Sequence, residues 1–581
     1  GASGEGTATE GNGAMSQRLV ERNDSSSSDD EDHLGAGPSM GGKKAYVGTH
    51  HHGAARTTHG SKAFKRKIFL GFNLVSLCAI AAWLLYLLVA LVLNVGRALP
   101  LAVCTFVCLG VHALVETGNY EKIKAATPPV PGIVSWIILA LLSAVAAGVV
   151  IWQIARDAEH RQYRLQALLG TAVFCGLCIA LSQRMRTIPW QLVLSAGLVQ
   201  FFLGYFVLRT EVGFTVFKTL GDGVSAFLDL SDFGAAMVFG DEYRTFFFAF
   251  KVLPTTIFFS AFISAMYYLG VMQVFVRITA LFLKKTIGAS LIQSVNAAAN
   301  LFLGMTEAPL LIKPFLPKAS PNDIHCVMVG GFASIAGGVL AAYIGMGVKA
   351  EQLIGASVMS VPGTLLVSNL VVPPGSMEES VSDDSNSENG DNEAADSDHF
   401  EFPPCSENNI IEAAGNGAHI AIDLVLNIGA MLIAFLALLK VVDGVLGYLG
   451  GLVDIEGLCF QLICSYVFFP VAWLLGAPYN DCFEVATLIG TKIFLNEFVA
   501  YKDLAKLLEH PDGSLLSPRG EMTATYALCG FSNVGSIGVT MGALSTLCPE
   551  RQSTFAKLVI SAMISGNVVC FLTATMAGVL S

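Results

Sequence analysis

Two carboxylates interrupt apolar stretches of this sequence, and their setting suggests chemistry rather than packing. Glu307 lies within LFLGMTEAPLLIKPFLP (301–317), and Glu497 lies within IFLNEFVAY (493–501). An ionised side chain at bilayer depth is costly without a partner, and such residues mark substrate or ion pathways. Lys492 is available as a partner, but no cation is evidently paired with both glutamates. The two glutamates therefore indicate a binding site.

Small polar residues accompany each glutamate, either beside it or one helix further along the chain. They fall within or next to glycine-rich stretches such as GGFASIAGGVLAAY and YALCGFSNVGSIG. Glycine-rich backbone that unwinds exposes carbonyl and amide groups, which can coordinate ions or substrates. The alternative for any single residue is a satisfied polar group that joins two helices. The candidates are Asn300, Thr306, Ser334, Asn496, Asn533 and Ser536.

The composition predicts a membrane protein. Of 581 residues, 53% are hydrophobic and only 14% are charged, and the mean hydropathy is +0.61. Soluble domains carry roughly 25% charged residues, so one or two soluble domains are excluded. The net charge of −11 comes largely from two acidic tracts. Cys175 and Cys178 form a lone CxxC without a second ligand pair, which favours packing over zinc binding.

The sequence divides into five segments. Residues 1–64 read as a disordered cytoplasmic tail rich in Ser, Asp and Gly, and 376–404 as an acidic disordered loop. Residues 65–187 contain three to four transmembrane helices, 188–375 the first half of a core, and 405–581 its second half. The basic KAFKRK ahead of the first helix predicts a cytoplasmic N-terminus.

Apolar segments longer than about 18 residues predict an all-α polytopic fold with about eleven transmembrane helices. Residues 211–240 alternate polar and apolar groups, which is typical of a helix on the membrane surface. The predicted spans are 68–93, 98–115, 133–154, 165–182, 189–208, 252–282, 325–347, 419–447, 483–505, 521–545 and 554–580.

Two further apolar blocks, 288–318 and 458–478, are interrupted by glycine, proline or polar residues. Corresponding broken segments in two halves of a chain are typical of a transporter's midplane site. Irregular backbone at that depth must be buried in protein or line a wet cavity. We therefore predict two re-entrant hairpins, one in each half.

Several motifs carry a resemblance to a known family. NLFLGMTEAPLLIKPFL, GFASIAGGVLAAYIGMGV, ASVMSVPG, LICSYVFFPVAWLLG, NEFVAY and YALCGFSNVGSIG occur in this order from about residue 190 to the end. They resemble the concentrative nucleoside transporter family, and the preceding helices resemble those of its animal members. The resemblance implies a homotrimer in which each protomer carries a scaffold and an elevator-type transport domain that slides across the membrane.

The resemblance also implies roles for individual residues. Asn300, Thr306 and Ser334 would bind sodium, helped by the backbone carbonyls of Leu303 and Ile335. A nucleobase would contact Gly304, Met305, Thr306, Glu307 and Val339. A ribose would contact Glu497, Phe531, Asn533 and Ser536.

The implied function is sodium-coupled, concentrative uptake of nucleosides at the plasma membrane, with a homotrimer embedded in lipid. The Gly304-Met305 pair resembles the purine-preferring members, which commonly tolerate uridine. We expect no enzymatic activity, no cofactor besides the sodium ion, and no nucleic-acid partner. Alternatives are a proton-coupled or broadly selective nucleoside carrier, an elevator-type carrier of another small polar metabolite, a passive channel, and a membrane-embedded hydrolase.

Overall fold

A computed structural model describes Tyr86 and residues 132–158, 160–240, 242–243, 248–375, 407–509 and 513–581. All except Tyr86 belong to one unit, Pro129–Ser581. These ranges are mainly helical and contain no β-strand. The predicted tail (1–64), the spans 68–93 and 98–115, and the acidic loop (376–404) lie outside the described residues.

The helices of the first half are α1 (Gly132–Arg156), α2 (Arg161–Ala180), α3 (Trp190–Arg209), α4 (Glu211–Leu228), α5 (Ser231–Phe239), α6 (Leu253–Tyr268), α7 (Val271–Ile287), α8 (Leu291–Ala299), α9 (Ala308–Leu311), α10 (Pro321–Ala333), α11 (Gly337–Gly345) and α12 (Ala350–Val371). Those of the second half are α13 (Ile410–Gly451), α14 (Phe460–Val467), α15 (Phe469–Leu474), α16 (Cys482–Phe494), α17 (Glu497–Leu508), α18 (Pro518–Leu528), α19 (Val534–Leu547) and α20 (Gln552–Leu580).

Seven helical stretches of the described residues are long and apolar enough to cross a membrane. Six of them coincide with predicted spans, which supports the all-α polytopic fold. The predicted spans 419–447, 483–505 and 521–545 correspond to the 42-residue helix α13 and to two helix pairs that break near their middle. The total of about eleven crossings stays a prediction.

The seventh stretch, α12, was not among the predicted spans. Its serines, Asn369 and Pro362 make it look unlike a membrane helix, yet almost all of it is buried between other helices. The Asn369 side chain is satisfied there: its Nδ2 donates to Gln293 Oε1 (3.3 Å), and its Oδ1 accepts from Asn322 Nδ2 (3.2 Å). The helix packs against α3, α10 and α20.

Two predicted elements differ in detail. The span predicted at 252–282 is broken, because Gly270 adopts a left-handed conformation (φ +81°) between α6 and α7. The surface helix predicted at 211–240 is two helices, α4 and α5. The first of them begins after Thr210, whose side-chain hydroxyl caps the helix by accepting from the Gly213 amide at 2.9 Å.

Both predicted hairpin regions contain short helices joined by irregular backbone. In 288–318, α8 ends at a turn that contains Gly304, and Pro309 lies in the first turn of α9. In 458–478, α14 and α15 meet at Phe468, and Gly476 (φ +86°) follows α15. Re-entry into the bilayer stays a prediction.

Three helix pairs are broken where the candidate residues lie. The breaks separate α10 from α11 at Ser334–Ala336, α16 from α17 at Leu495–Asn496, and α18 from α19 at residues 529–533. The long helix α13 instead packs mainly against α6, with the Ser260 hydroxyl donating to the Gly417 carbonyl at 2.8 Å. A side chain at Gly417 would collide with Ser264, so glycine is required for this close approach.

Candidate functional site

The turn after α8 and the three helix breaks enclose a cavity of about 420 Å³. This volume lies within the range of about 300–1,000 Å³ that is usual for small-molecule sites. The cavity contains both predicted glutamates, one from each half of the chain. Its lining residues are Gly304, Met305, Thr306, Glu307, Ala336, Val339, Asn496, Glu497, Phe498, Phe531, Asn533, Ser536, Gly538 and Val539.

Glu497 is buried and held by another side chain. It is the first residue of α17, and the Asn496 side chain caps that helix by accepting from the Val499 amide (2.9 Å). Asn533 Nδ2 donates to Glu497 Oε2 at 2.7 Å, while Asn533 Oδ1 accepts from the Ser536 amide (2.8 Å) and caps α19. Two helix N-termini thus face one carboxylate, an arrangement that favours negative charge.

The break between α18 and α19 has its own hydrogen-bond donors. A broken helix leaves carbonyls without partners, which is costly away from water. Here four side chains donate to carbonyls around the break: Tyr501 Oη to Thr525 (2.9 Å), Lys492 Nζ to Ala527 (3.1 Å), Cys570 Sγ to Cys529 (2.9 Å) and Asn567 Nδ2 to Ser532 (3.0 Å). The turn that presents Phe531 and Asn533 is therefore fixed by its surroundings.

Glu307 is held differently, by its own turn. Its Oε2 accepts from the Gly304 amide at 3.1 Å, and the side chain is only half-buried. Gly304 lies close to Ala336, since an added Cβ would be 3.2 Å from the Ala336 Cβ. The second carboxylate oxygen of Glu307 has no protein hydrogen bond among the described contacts and is available to a ligand.

Met305 is fixed from two sides. The Thr540 hydroxyl donates to its sulfur at 3.4 Å, and its Cβ lies against Gly331, where an added Cβ would be only 2.8 Å away. Met305 is buried while still lining the cavity beside Val339. This part of the wall is apolar, with a thioether as its only weak hydrogen-bond acceptor.

Asn300 and Ser334, two of the residues expected to bind sodium, both lie next to Gly330. Asn300 is buried, and within the described ranges neither its amide nitrogen nor its oxygen has a hydrogen-bond partner. Its nitrogen lies against Gly330, whose carbonyl accepts from the Ser334 hydroxyl (2.7 Å). Among described backbone bonds, the carbonyls of Leu303 and Ile335 accept none. An unsatisfied buried amide beside two available carbonyls suits a hard cation.

Thr306 departs from that group. Its side chain is exposed and lines the cavity, whereas Asn300 is buried and is not among the cavity-lining residues. The turn and the first helix break are joined by the Gly337 amide, which donates to the Phe302 carbonyl at 3.0 Å. This bond holds the candidate residues of the turn against Ser334 and Ile335.

Sequence reasoning missed several lining residues. Ala336, Phe498, Gly538 and Val539 line the cavity, and the first three lie within the quoted motifs, but none of the four was given a role; Asn496 was noted without one. Helical spacing offered a signal, because Val539 lies three residues after Ser536 on α19 and shares its face. Phe498 directly follows Glu497. Every predicted nucleobase and ribose residue does line the cavity.

A cavity that carries polar groups and lies between broken membrane helices from two halves of one chain is typical of a membrane transporter. The chain matches the family profiles described as Na+ dependent nucleoside transporter N-terminus (residues 169–242), Nucleoside recognition (249–350) and Na+ dependent nucleoside transporter C-terminus (352–578). It therefore belongs to the Na+-dependent nucleoside transporter family. It is a transporter rather than an enzyme, and sodium is the coupling ion.

Similar proteins cover most of the chain. Sodium/nucleoside cotransporter 2 of Rattus norvegicus is 39% identical over 529 residues, which are 89% of this chain and 77% of the relative. Solute carrier family 28 member 3 of Homo sapiens is 38% identical over 522 residues, 86% of this chain and 73% of the relative. The structure of CNTnw in an inward-facing substrate-bound state is 34% identical with a TM-score of 0.65, covering 72% of this chain and 98% of CNTnw.

Proposed function

We propose that this protein couples sodium entry to concentrative uptake of nucleosides, with a preference for adenosine, inosine and guanosine and some uptake of uridine. The observation that carries the proposal is the shared cavity. Its lining combines one carboxylate from each half, polar side chains such as Asn533 and Ser536, and apolar side chains such as Met305 and Val339. A nucleoside likewise combines a polar ribose with a flat base.

Glu497, Asn533, Ser536 and Phe531 bind the ribose in this proposal. Ribose hydroxyls both donate and accept, so an ionised carboxylate, an amide and a hydroxyl complement them. The bond between Asn533 and Glu497 (2.7 Å) supports the assignment, because it orients the carboxylate before a substrate arrives. Preorganisation of this kind lowers the entropic cost of binding.

Gly304, Met305, Thr306, Glu307 and Val339 contact the nucleobase. Met305 offers almost no hydrogen bonding to the polar edge of cytosine or thymine, but its side chain packs well on a bicyclic purine. Gly304 has no side chain that would crowd the second ring, and its approach to Ala336 is already close, since an added Cβ would be 3.2 Å from the Ala336 Cβ. These contacts favour purines modestly, because apolar contact differences are worth about 1–3 kcal/mol.

Asn300, Thr306, Ser334 and the carbonyls of Leu303 and Ile335 bind the sodium ion. The unpartnered amide of Asn300 supports this role, since a buried polar group without a hydrogen bond costs about 1–3 kcal/mol. A cation that satisfies it offsets that cost. The exposed Thr306 joins the ion site to the nucleobase end of the cavity.

The assembly and topology form part of the same proposal. The protein is a plasma-membrane homotrimer with a cytoplasmic N-terminus. Residues 65–187 precede the core halves 188–375 and 405–581. The contact of α13 with α6, apart from most of the other helices, supports a scaffold distinct from an elevator-type transport domain.

Uptake into proteoliposomes tests the function directly. Labelled inosine should accumulate above its external concentration under an inward sodium gradient, and the accumulation should collapse when the gradient is dissipated. Choline in place of sodium at fixed pH is the control. Equal uptake in both media would overturn sodium coupling in favour of protons.

Competition with labelled adenosine tests the base preference. Inosine and guanosine should compete several-fold better than thymidine and cytidine, and uridine should fall between them. Equal competition by cytidine and inosine would show that the protein is broadly selective. Cross-linking in native membranes, which should yield a trimer, tests the assembly.

A further inference from the structure

Lys492 is a fully buried cation close to the site. It lies near the end of α16, five residues before Glu497 and on the other side of the break between α16 and α17. An ionisable residue within a membrane protein is costly unless a partner or a function compensates it. No direct salt bridge joins Lys492 to a carboxylate in the described ranges. The role of this lysine therefore needs an explanation.

Its ammonium is bound to the end of another helix. Lys492 Nζ donates to the Ala527 carbonyl at 3.1 Å, in the last turn of α18. A cation is favourable there, because the unpaired carbonyls of a helix C-terminus carry partial negative charge. The turn that begins after Leu528 leads directly to Phe531 and Asn533.

Lys492 and Glu497 hold opposite ends of that turn. Lys492 binds Ala527 before the turn, while Glu497 accepts from Asn533 at its end (2.7 Å). The two side chains also influence each other through space, since the positive charge of Lys492 acts favourably on the carboxylate. Such an interaction needs no contact within a low-dielectric interior.

We propose that Lys492 is a positioning residue for substrate recognition. Its charge favours the ionised form of Glu497, and its hydrogen bond to the Ala527 carbonyl fixes the turn that carries Asn533. The ribose hydroxyls are thereby recognised by a charge pair that spans two helix breaks rather than by Glu497 alone. This inference rests on the proposed ribose site.

Nucleoside analogues separate the effect of charge from a general structural effect. Lys492→Gln keeps a donor for Ala527 but removes the charge. Its affinity for inosine should fall about tenfold, the loss expected for a hydrogen bond to a charged group. Its affinity for 2′,3′-dideoxyinosine, which lacks the ribose hydroxyls, should change by less than about twofold on the same scale. Lys502→Gln, on the exposed side of α17, is the matched control and should alter neither affinity.

Equal losses for inosine and dideoxyinosine would overturn the inference, because Lys492 would then only hold the turn. Retained inosine affinity would overturn it as well. Lys492→Arg should keep most of the selectivity for the ribose hydroxyls, since it preserves the charge. A fall in that selectivity as large as for Lys492→Gln would count against the role of charge.

Thermal unfolding of the purified protein, without sodium or nucleoside, gives a second test. Lys492→Gln and Glu497→Gln each leave one buried charge uncompensated and should lower the Tm. The double variant should lose less than the sum of the two. Additive losses would overturn the pairing. This cycle does not depend on transport, so it reports on the pair even if Glu497 proves unrelated to ribose binding.

If the single variants fold poorly, the folding of the double variant decides between the outcomes. Recovery of a monodisperse, membrane-inserted protein on combining Lys492→Gln with Glu497→Gln would support the pair. Failure of the double variant to fold, alongside failure of both single variants, would overturn it.

Discussion

The two glutamates of the cavity are held in different ways. Glu307 accepts from the amide of Gly304 within its own turn, is half-buried, and keeps an oxygen available. Glu497 is buried and accepts from Asn533, whose side chain also caps α19. The first contact joins two residues that are three positions apart in sequence. The second joins two residues that are 36 positions apart and belong to the starts of two different helices.

This difference indicates which part of the cavity is adaptable, in the sense that its side chains can change their contacts. A side chain held by its own turn can change neighbours when the turn changes, whereas one held between two capped helices cannot move without disturbing both. The half around Glu307 therefore suits the variable part of a substrate, the base. The half around Glu497 suits the constant part, the ribose. The predictions below test this division.

The largest effect is expected at the rigid end. Glu497→Gln keeps the shape but removes the charge and places an amide donor where acceptors are needed. Uptake efficiency for inosine should fall about ten- to a hundred-fold, because a hydrogen bond to a charged group is worth about 1.5–3 kcal/mol. The initial rate of labelled inosine uptake, normalised to surface expression, measures the loss. Glu509→Gln, on an exposed position after α17, is the control. Normal uptake by a well-expressed Glu497→Gln protein would remove the ribose assignment.

A smaller effect is expected at the sodium residues, with Asn300 above Thr306. Because the buried amide of Asn300 lacks a protein partner, Asn300→Leu should raise the half-saturating sodium concentration about tenfold without lowering the sodium-free Tm. Thr306 is exposed, so Thr306→Val should raise the sodium requirement by only about two- to threefold.

Sodium titration of inosine uptake measures both changes, and thermal unfolding in choline provides the stability comparison. A lower sodium-free Tm for Asn300→Leu would mean that its amide serves the fold. An unchanged sodium requirement in both variants would place the ion elsewhere.

The smallest effect on inosine uptake is expected at the adaptable end, where the change is in base selectivity. Met305→Gln introduces an amide that can pair with a pyrimidine edge, so cytidine and thymidine should compete about three- to tenfold better against adenosine. Uptake of inosine at saturating sodium should stay within about twofold of the wild type, since the ribose contacts are unchanged. Thr540→Val, which removes the hydrogen bond to the Met305 sulfur, is the comparison variant. Unaltered competition in Met305→Gln would show that base selectivity is read elsewhere.

The polar part of the site was predictable because carboxylates are unusual in a membrane helix, whereas the roles of Met305, Val339 and Phe531 were predicted only from the family resemblance. A carboxylate in GMTEAP or LNEFVAY has few structural uses, and the nine predicted substrate residues all line one cavity. Residues such as Val539 and Phe498 were missed because an apolar side chain in an apolar helix carries no local signal. Their role depends on which face of α17 or α19 meets the cavity, and only the packing decides that.

The fold was predictable where hydropathy dominates and less so where polar groups are satisfied by neighbours. Helix α12 was missed because Asn369 and Pro362 argue against a membrane span when read alone. Inside the protein, Asn369 is buried and forms hydrogen bonds with Gln293 and Asn322. Gly270 had the opposite effect: it looked like one glycine in an apolar span, but its positive φ ends the helix. Neither outcome follows from local composition.

The length of α13 has a mechanical consequence. Its 42 residues extend about 63 Å, roughly twice the 30 Å hydrocarbon core. A helix of that length must lie steeply inclined in the bilayer or project well beyond it. Ile433, Leu436 and Leu439 face a second cavity that Phe498 and Val499 of α17 also line, and apolar residues continue along the helix from Ile422 to Leu449. Successive turns of α13, each about 5.4 Å along the helix axis, therefore present similar apolar side chains.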